Sequence, residues 1–130
     1  MDEAITQGLE ALSGLDAALG LRHLRGRLDS YVRLLKKFAD TRAADIDNMG
    51  NQLAARDYAE LASLAHNIKG IGGFLGATEI HGLAGEVSAA VRGGRDEAEI
   101  ARLAAALIEA QSELRAGVFA LVAQLRRSNA

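Results

Sequence analysis

Cysteine is absent from this chain of 130 residues, which excludes a disulfide framework, a thiolate zinc site and a thiol nucleophile. The same absence leaves the redox compartment open. Proline is absent too, while alanine, leucine and arginine abound, a combination that reads as all-α. There is no excess of positive charge: the formal net charge is −2 and the pI about 5.9, so the basic footprint of a nucleic-acid-binding domain is missing. No apolar run reaches the roughly 18 residues of a membrane span, and no charged-then-apolar signal opens the chain. A soluble protein is therefore expected, with no direct membrane contact. No internal repeat or low-complexity segment occurs, and no glycine-rich nucleotide loop follows a strand. What remains, 49% hydrophobic and 25% charged, is the composition of one globular domain long enough to bury a single core.

Periodicity divides that domain into helices. Residues 1–14, with Gly8 and Ser13-Gly14, are weakly patterned and read as a leader or linker, leaving 15–130 as the domain. Asp16 is placed to cap a short helix to about Leu24, ended by Gly26. A long helix follows from about Leu28, with Tyr31, Leu35, Phe38, Ile46, Met49 and Leu53 inward, and a gap near Arg42. Lys36, Lys37, Arg42 and Asp45 are expected on its outer side. Asp57, with Glu60 three residues on, caps the next helix, which fades at Gly76-Ala77. Another begins near Thr78, buries Ile80, Leu83, Ala84, Val87 and Val91, and stops at Arg92-Gly93-Gly94. Asp96 and Glu99 cap the last, whose stripe runs through Ile100, Leu103, Leu107, Leu114, Val118, Leu121 and Leu125 to a dipole-compensating Arg126-Arg127. The expected fold is all-α: an antiparallel four-helix bundle with a short additional N-terminal helix.

The unusual surface lies in the helix after Asp57. At 100° per residue, Leu61, Leu64, Ile68, Ile71 and Leu75 fall on one side. His66 falls opposite, on an arc with Lys69, Gly70 and Gly73, and Ala59, Ala62 and Ser63 one turn earlier. Three glycines, Gly70, Gly72 and Gly73, each cost a helix about 1 kcal/mol against alanine. Gly72 faces the core side, where close helix approach accounts for it. Gly70 and Gly73 flank the histidine on the outside, as if to clear a path to the imidazole. The other two histidines, 43 residues before and 15 after, match no helical i, i+4 metal pair, so no metal site is expected and His23 and His81 read as surface or boundary residues.

His66-x-Ile68-Lys69-Gly70, followed by Leu75-Gly76-Ala77, resembles the signature of histidine phosphotransfer (HPt) domains, helical bundles that carry a phosphoryl group on one exposed histidine. Leu15-Asp16, Gly20-Leu21, Tyr31, Leu34-Leu35 and Phe38 resemble the family's opening helices, and Leu83-Ala84, Glu86-Val87 and Ala90-Val91 the helix after the motif, so the likeness spans roughly 15 to 127. Phe74, where many relatives are polar, and Gly72, where Ala or Ser is common, depart from the pattern.

The resemblance implies His66 as phosphoacceptor in a two-component phosphorelay, relaying between receiver-domain aspartates. Lys69 would offset phosphate charge, and Ala62, Ser63, Gly70, Gly73 and Phe74 would form the docking face. Ser88, on the following helix, is a candidate for polar support near the histidine. No cofactor is expected on this chain, since magnesium would sit on the receiver domain. The implied partners are a response-regulator receiver domain and an upstream hybrid histidine kinase, met by a monomer in the cytoplasm, either free or as the cytoplasmic end of a membrane-bound hybrid kinase. A carrier without its own kinase domain is therefore expected. Three other readings stay open: the phosphoacceptor module of a chemotaxis-type kinase, which carries a similar run; a docking scaffold that binds or inhibits without transfer; and a plain structural bundle.

Overall fold

The computed structural model describes residues 2–128, which form α1 (Asp2–Glu10), α2 (Ala17–His23), α3 (Leu28–Ala54), α4 (Tyr58–Leu75), α5 (Thr78–Arg92) and α6 (Glu97–Ser128). Turns of two to four residues join the four long helices, which forces consecutive ones to run antiparallel. α4 packs on α3 and α5, and α6 closes the ring against α5 and α3. Leu35, Phe38 and Met49 of α3, Leu61 and Ile68 of α4, Val87 of α5 and Leu107 and Leu114 of α6 fill the centre.

The local start and stop signals act as expected. Asp16 accepts from Leu19 N at 3.1 Å, Asp57 from Glu60 N at 3.3 Å and Asp96 from Glu99 N at 2.8 Å, each satisfying one of the orphan donors of a helix start. α4 ends at Gly76 in the left-handed region (φ 81°), with Ala77 N donating back to Gly72 O at 2.8 Å.

Three features differ from the sequence reading. Two short helices, not one, precede the bundle, and the segment expected as leader or linker contains the first. Leu9 of α1 is wholly buried, and Gly8 lets α1 approach Leu121 of α6 so closely that a Cβ would collide with it. Glycine at position 8 weakened the apolar pattern because its contribution is proximity, not hydrophobicity. Residues 14–16 are also stitched to the α4–α5 turn, through Asp16 N to Gly76 O (2.7 Å) and Glu79 N to Gly14 O (3.3 Å).

Arg42 is the second difference. Far from decorating the outside, it is 2% exposed and fills the gap in the α3 stripe. Its guanidinium lies 3.9 Å over the Phe38 ring, donates to Phe38 O and to Gln111 Oε1, and pairs with Asp45 at 3.0 Å. Gln111 of α6, itself fully buried, donates in turn to Leu107 O and Met49 Sδ. Burial pushes the Arg42 pKa down and Asp45 pulls it back up. A buried cation here is tolerated because nearly every donor finds a partner.

Ile71 is the third. Assigned inward, it is 51% exposed, because it stands at the margin of α4 towards α3, where the two helices leave a groove open between them.

Candidate functional site

α4 presents His66 on its outer face, exposed. Side chains farther along the same helix build the surroundings. A groove of about 430 Å³ runs beside the imidazole, walled by Lys69, Gly70, Gly73 and Phe74 of α4, Thr78 and His81 of α5 and Leu19 of α2. A Cβ placed on Gly70 would meet nothing within 4 Å, so this position is bare for no reason internal to the domain.

Gly73 has an internal reason, contrary to expectation. A Cβ there would come within 2.7 Å of His81 Nδ1, so the missing side chain seats the His81 imidazole. That nitrogen is 2.9 Å from Lys69 O, a contact that requires His81 to donate through Nδ1–H. Lys69 is half-buried: its stem lies over Gly85 of α5, where a Cβ would be 3.6 Å from Lys69 Cε. Among the described residues the Lys69 ammonium has no ion-pair partner. Ala62, spaced by helical turns from Lys69 and Gly73, shares this α5-facing flank and is only 7% exposed, so it is not part of the open face. Ser63, His66, Gly70 and Phe74 are exposed.

Ser88 lies on the buried side of α5, 5% exposed, and no hydrogen bond joins it to His66. Among the described residues no group of three or more His, Asp or Glu side chains is placed to hold a metal ion, and no helix is long and apolar enough to cross a membrane.

The end of α4, two turns beyond His66, is held by α2, the turn before it and the start of α3. A helix end leaves its last carbonyls without intrahelical donors. Here His23 Nδ1 is 2.6 Å from Phe74 O, Tyr31 Oη donates to Leu75 O at 2.7 Å, and Asp16 N donates to Gly76 O. Burial, with the charge of Asp16 adding to it, pushes the Tyr31 hydroxyl well above the ordinary phenol range, so it stays a donor. Gly20 of α2 admits both Leu75 O and the Tyr31 ring, and any Cβ would exclude them. In the sequence His23 and His81 look like plain surface residues because their partners are backbone carbonyls distant along the chain; Gly73, there read as clearing the way to His66, is the one local trace of His81.

Residues 33–126, most of the chain and His66 with them, match the Hpt domain family. The chain belongs to that family. Its fold is similar to the crystal structure of the HPT domain from the Hpt sensor hybrid histidine kinase from Shewanella, with a TM-score of 0.77 and 18% identity, covering 87% of this chain and 97% of that one. No curated protein matches the chain. As an Hpt domain the chain has a histidine phosphotransfer role in a two-component phosphorelay, and Hpt domains interact with receiver domains and histidine kinases. Hpt domains are phosphotransfer modules and not kinases.

Proposed function

We propose that His66 is the phosphoryl acceptor of this Hpt domain and relays the group between the aspartates of receiver domains. The setting of His66 carries this reading. His23 and His81 each donate Nδ1–H to a carbonyl of α4, which fixes their rings against the bundle, whereas His66 is exposed, makes no hydrogen bond among the described residues, and has the bare Gly70 and the Lys69 ammonium one helical turn away. A nucleophile needs a free lone pair and a clear approach to its electrophile.

In the transfer, a ring nitrogen of His66 attacks the phosphorus of the receiver's aspartyl phosphate. An N–P bond forms, the P–O bond to the aspartate breaks, and the carboxylate leaves with the electron pair. The receiver contributes the aspartate and its magnesium. This chain contributes the imidazole, the open approach over Gly70 and the Lys69 ammonium one helical turn on, which offsets charge on the phosphoryl oxygens. Phosphoryl transfer asks chiefly for alignment and charge compensation, and this groove supplies both without a nucleotide site. The reading places the chain in the cytoplasm as a monomeric carrier between an upstream hybrid kinase and a response regulator.

The test is incubation with a phosphorylated receiver domain, scoring acid-labile phosphate on this chain by intact mass, beside His66→Gln. Label that disappears in His66→Gln supports the reading. Label that persists there, or that is lost only in His81→Gln, overturns it.

A further inference from the structure

Phe74 belongs to two grooves at once. It walls the groove beside His66, and it also borders a second cleft of about 300 Å³ between α3 and α4, floored by Phe38 and Leu75. The three large hydrophobic side chains that stand exposed among the described residues, Leu34 (38%), Phe74 (45%) and Ile71 (51%), all border this second cleft. Apolar exposure concentrated in one patch marks a surface that something covers.

Phe74 is also held rigidly for an exposed aromatic. The His23 imidazole stacks on its ring, with centroids 5.3 Å apart and planes within 17°, while bonding its carbonyl through Nδ1. One short helix thus clamps both the ring and the backbone of the same residue, which is still 45% exposed. A fixed aromatic loses little rotamer freedom when a partner settles on it.

We infer that Phe74, clamped by His23, is the specificity-determining ridge for the receiver domain: an apolar side chain of the receiver seats in the α3–α4 cleft while its aspartate meets His66 on the other side of the ridge. The inference rests on the reading of His66 as acceptor from a receiver aspartate. The occupant follows from continuity. Phe74 lies eight residues from His66 on the same helix, about 12 Å, well within the roughly 800 Å² that one partner covers in a standard interface. Any domain that brings an aspartate to His66 therefore covers Phe74, and Leu34 and Ile71 lie immediately beyond it. His23 is a positioning residue, acting through Phe74.

The test uses the full chain, a panel of phosphorylated receiver domains, and phosphoramidate as a small phosphodonor that needs no docking face. For the receiver with the fastest transfer, Phe74→Ala is expected to raise KM about tenfold with kcat little changed, as for truncation of a buried interface anchor. The spread of kcat/KM across the panel should narrow, and labelling by phosphoramidate should fall far less than transfer from the receiver. Phe74→Leu, which keeps apolar bulk, should recover part of the loss. His23→Ala should raise KM about threefold, and the double variant should be no worse than Phe74→Ala alone, the coupling expected when one residue works through the other. His23→Asn, which can still reach the carbonyl but cannot stack, should behave like His23→Ala. An unchanged KM in Phe74→Ala, an equal loss with every receiver, or additive effects of the two substitutions would overturn the inference. Loss of phosphoramidate labelling in His66→Gln but not in Phe74→Ala separates this inference from the assignment of the acceptor.

Discussion

Two glycines four and seven residues from His66 on the same helix, Gly70 and Gly73, should respond differently to alanine. At Gly70 an added Cβ meets nothing within 4 Å, so Gly70→Ala gains the full helix-propensity difference of about 1 kcal/mol. For a chain of this length that raises the melting temperature by roughly 4 °C. At Gly73 the same gain is offset, because the methyl would stand 2.7 Å from His81 Nδ1 and 3.1 Å from Cε1. The imidazole must swing away and give up its bond to Lys69 O, a loss of about 1 kcal/mol, leaving Gly73→Ala near neutral. Gly50 of α3 is the control: its Cβ position is also empty, so Gly50→Ala should stabilise as Gly70→Ala does. Thermal unfolding followed by circular dichroism reads all three. Transfer from a phosphorylated receiver supplies the second axis, in which Gly70→Ala and more strongly Gly70→Glu should slow transfer while Gly50→Ala leaves it unchanged. If Gly73→Ala stabilised as much as Gly70→Ala, His81 would not be seated as described. Transfer at the wild-type rate by Gly70→Glu would mean that the partner approaches from elsewhere.

Lys69→Ala should lower the transfer rate about tenfold, the scale of one hydrogen bond to a charged group, with the unfolding midpoint nearly unchanged because the ammonium has no ion-pair partner. Lys69→Arg should restore part of the rate. Tyr31 gives a pH signature: its hydroxyl stays protonated in the fold well above the value near 10 at which the unfolded chain ionises, so the stability it contributes is complete below about pH 10 and is lost as pH rises beyond it. Tyr31→Phe should cost about 1 kcal/mol at pH 7, for the bond to Leu75 O, and lose less stability above pH 10 than the wild type; parallel losses in urea titrations would contradict this. Gly76→Ala should destabilise by more than about 2 kcal/mol, since it combines a left-handed φ of 81° with a Cβ driven into Asp16 O; a smaller loss in urea titration would mean that the α4–α5 turn relaxes freely.

Much of the fold was legible before any coordinates because helix starts and stops are local chemistry. An aspartate three residues ahead of the amide that donates to it, a glycine at a left-handed position and an apolar side chain every three or four residues are all readable within one or two turns. The open face of α4 was legible for the same reason: His66, Lys69 and Gly70 lie within a single helical turn, and their relative directions follow from helix geometry alone. The motif likewise carried the family, because its residues are contiguous.

Tertiary structure decided what depends on a second helix. Whether a helical position is bare or covered is set by its neighbour's approach, so Ala62 moved from the open face to the α5 flank, Gly73 gained a role in seating His81, and Ile71 moved from the core to the α3 cleft. Arg42 could be read as buried only once Gln111, 69 residues away, came within 3.2 Å to share its donors. α1 joined the bundle through Leu9 and the close approach of Gly8 to Leu121, which a hydrophobic pattern does not record. His23 and His81 acquired their positions from carbonyls 51 and 12 residues distant. A sequence states which chemistry each residue can offer and which way it faces on its own helix. The packing of helix against helix determines which of those offers is already taken, and His66 is the histidine that no carbonyl of another residue tethers.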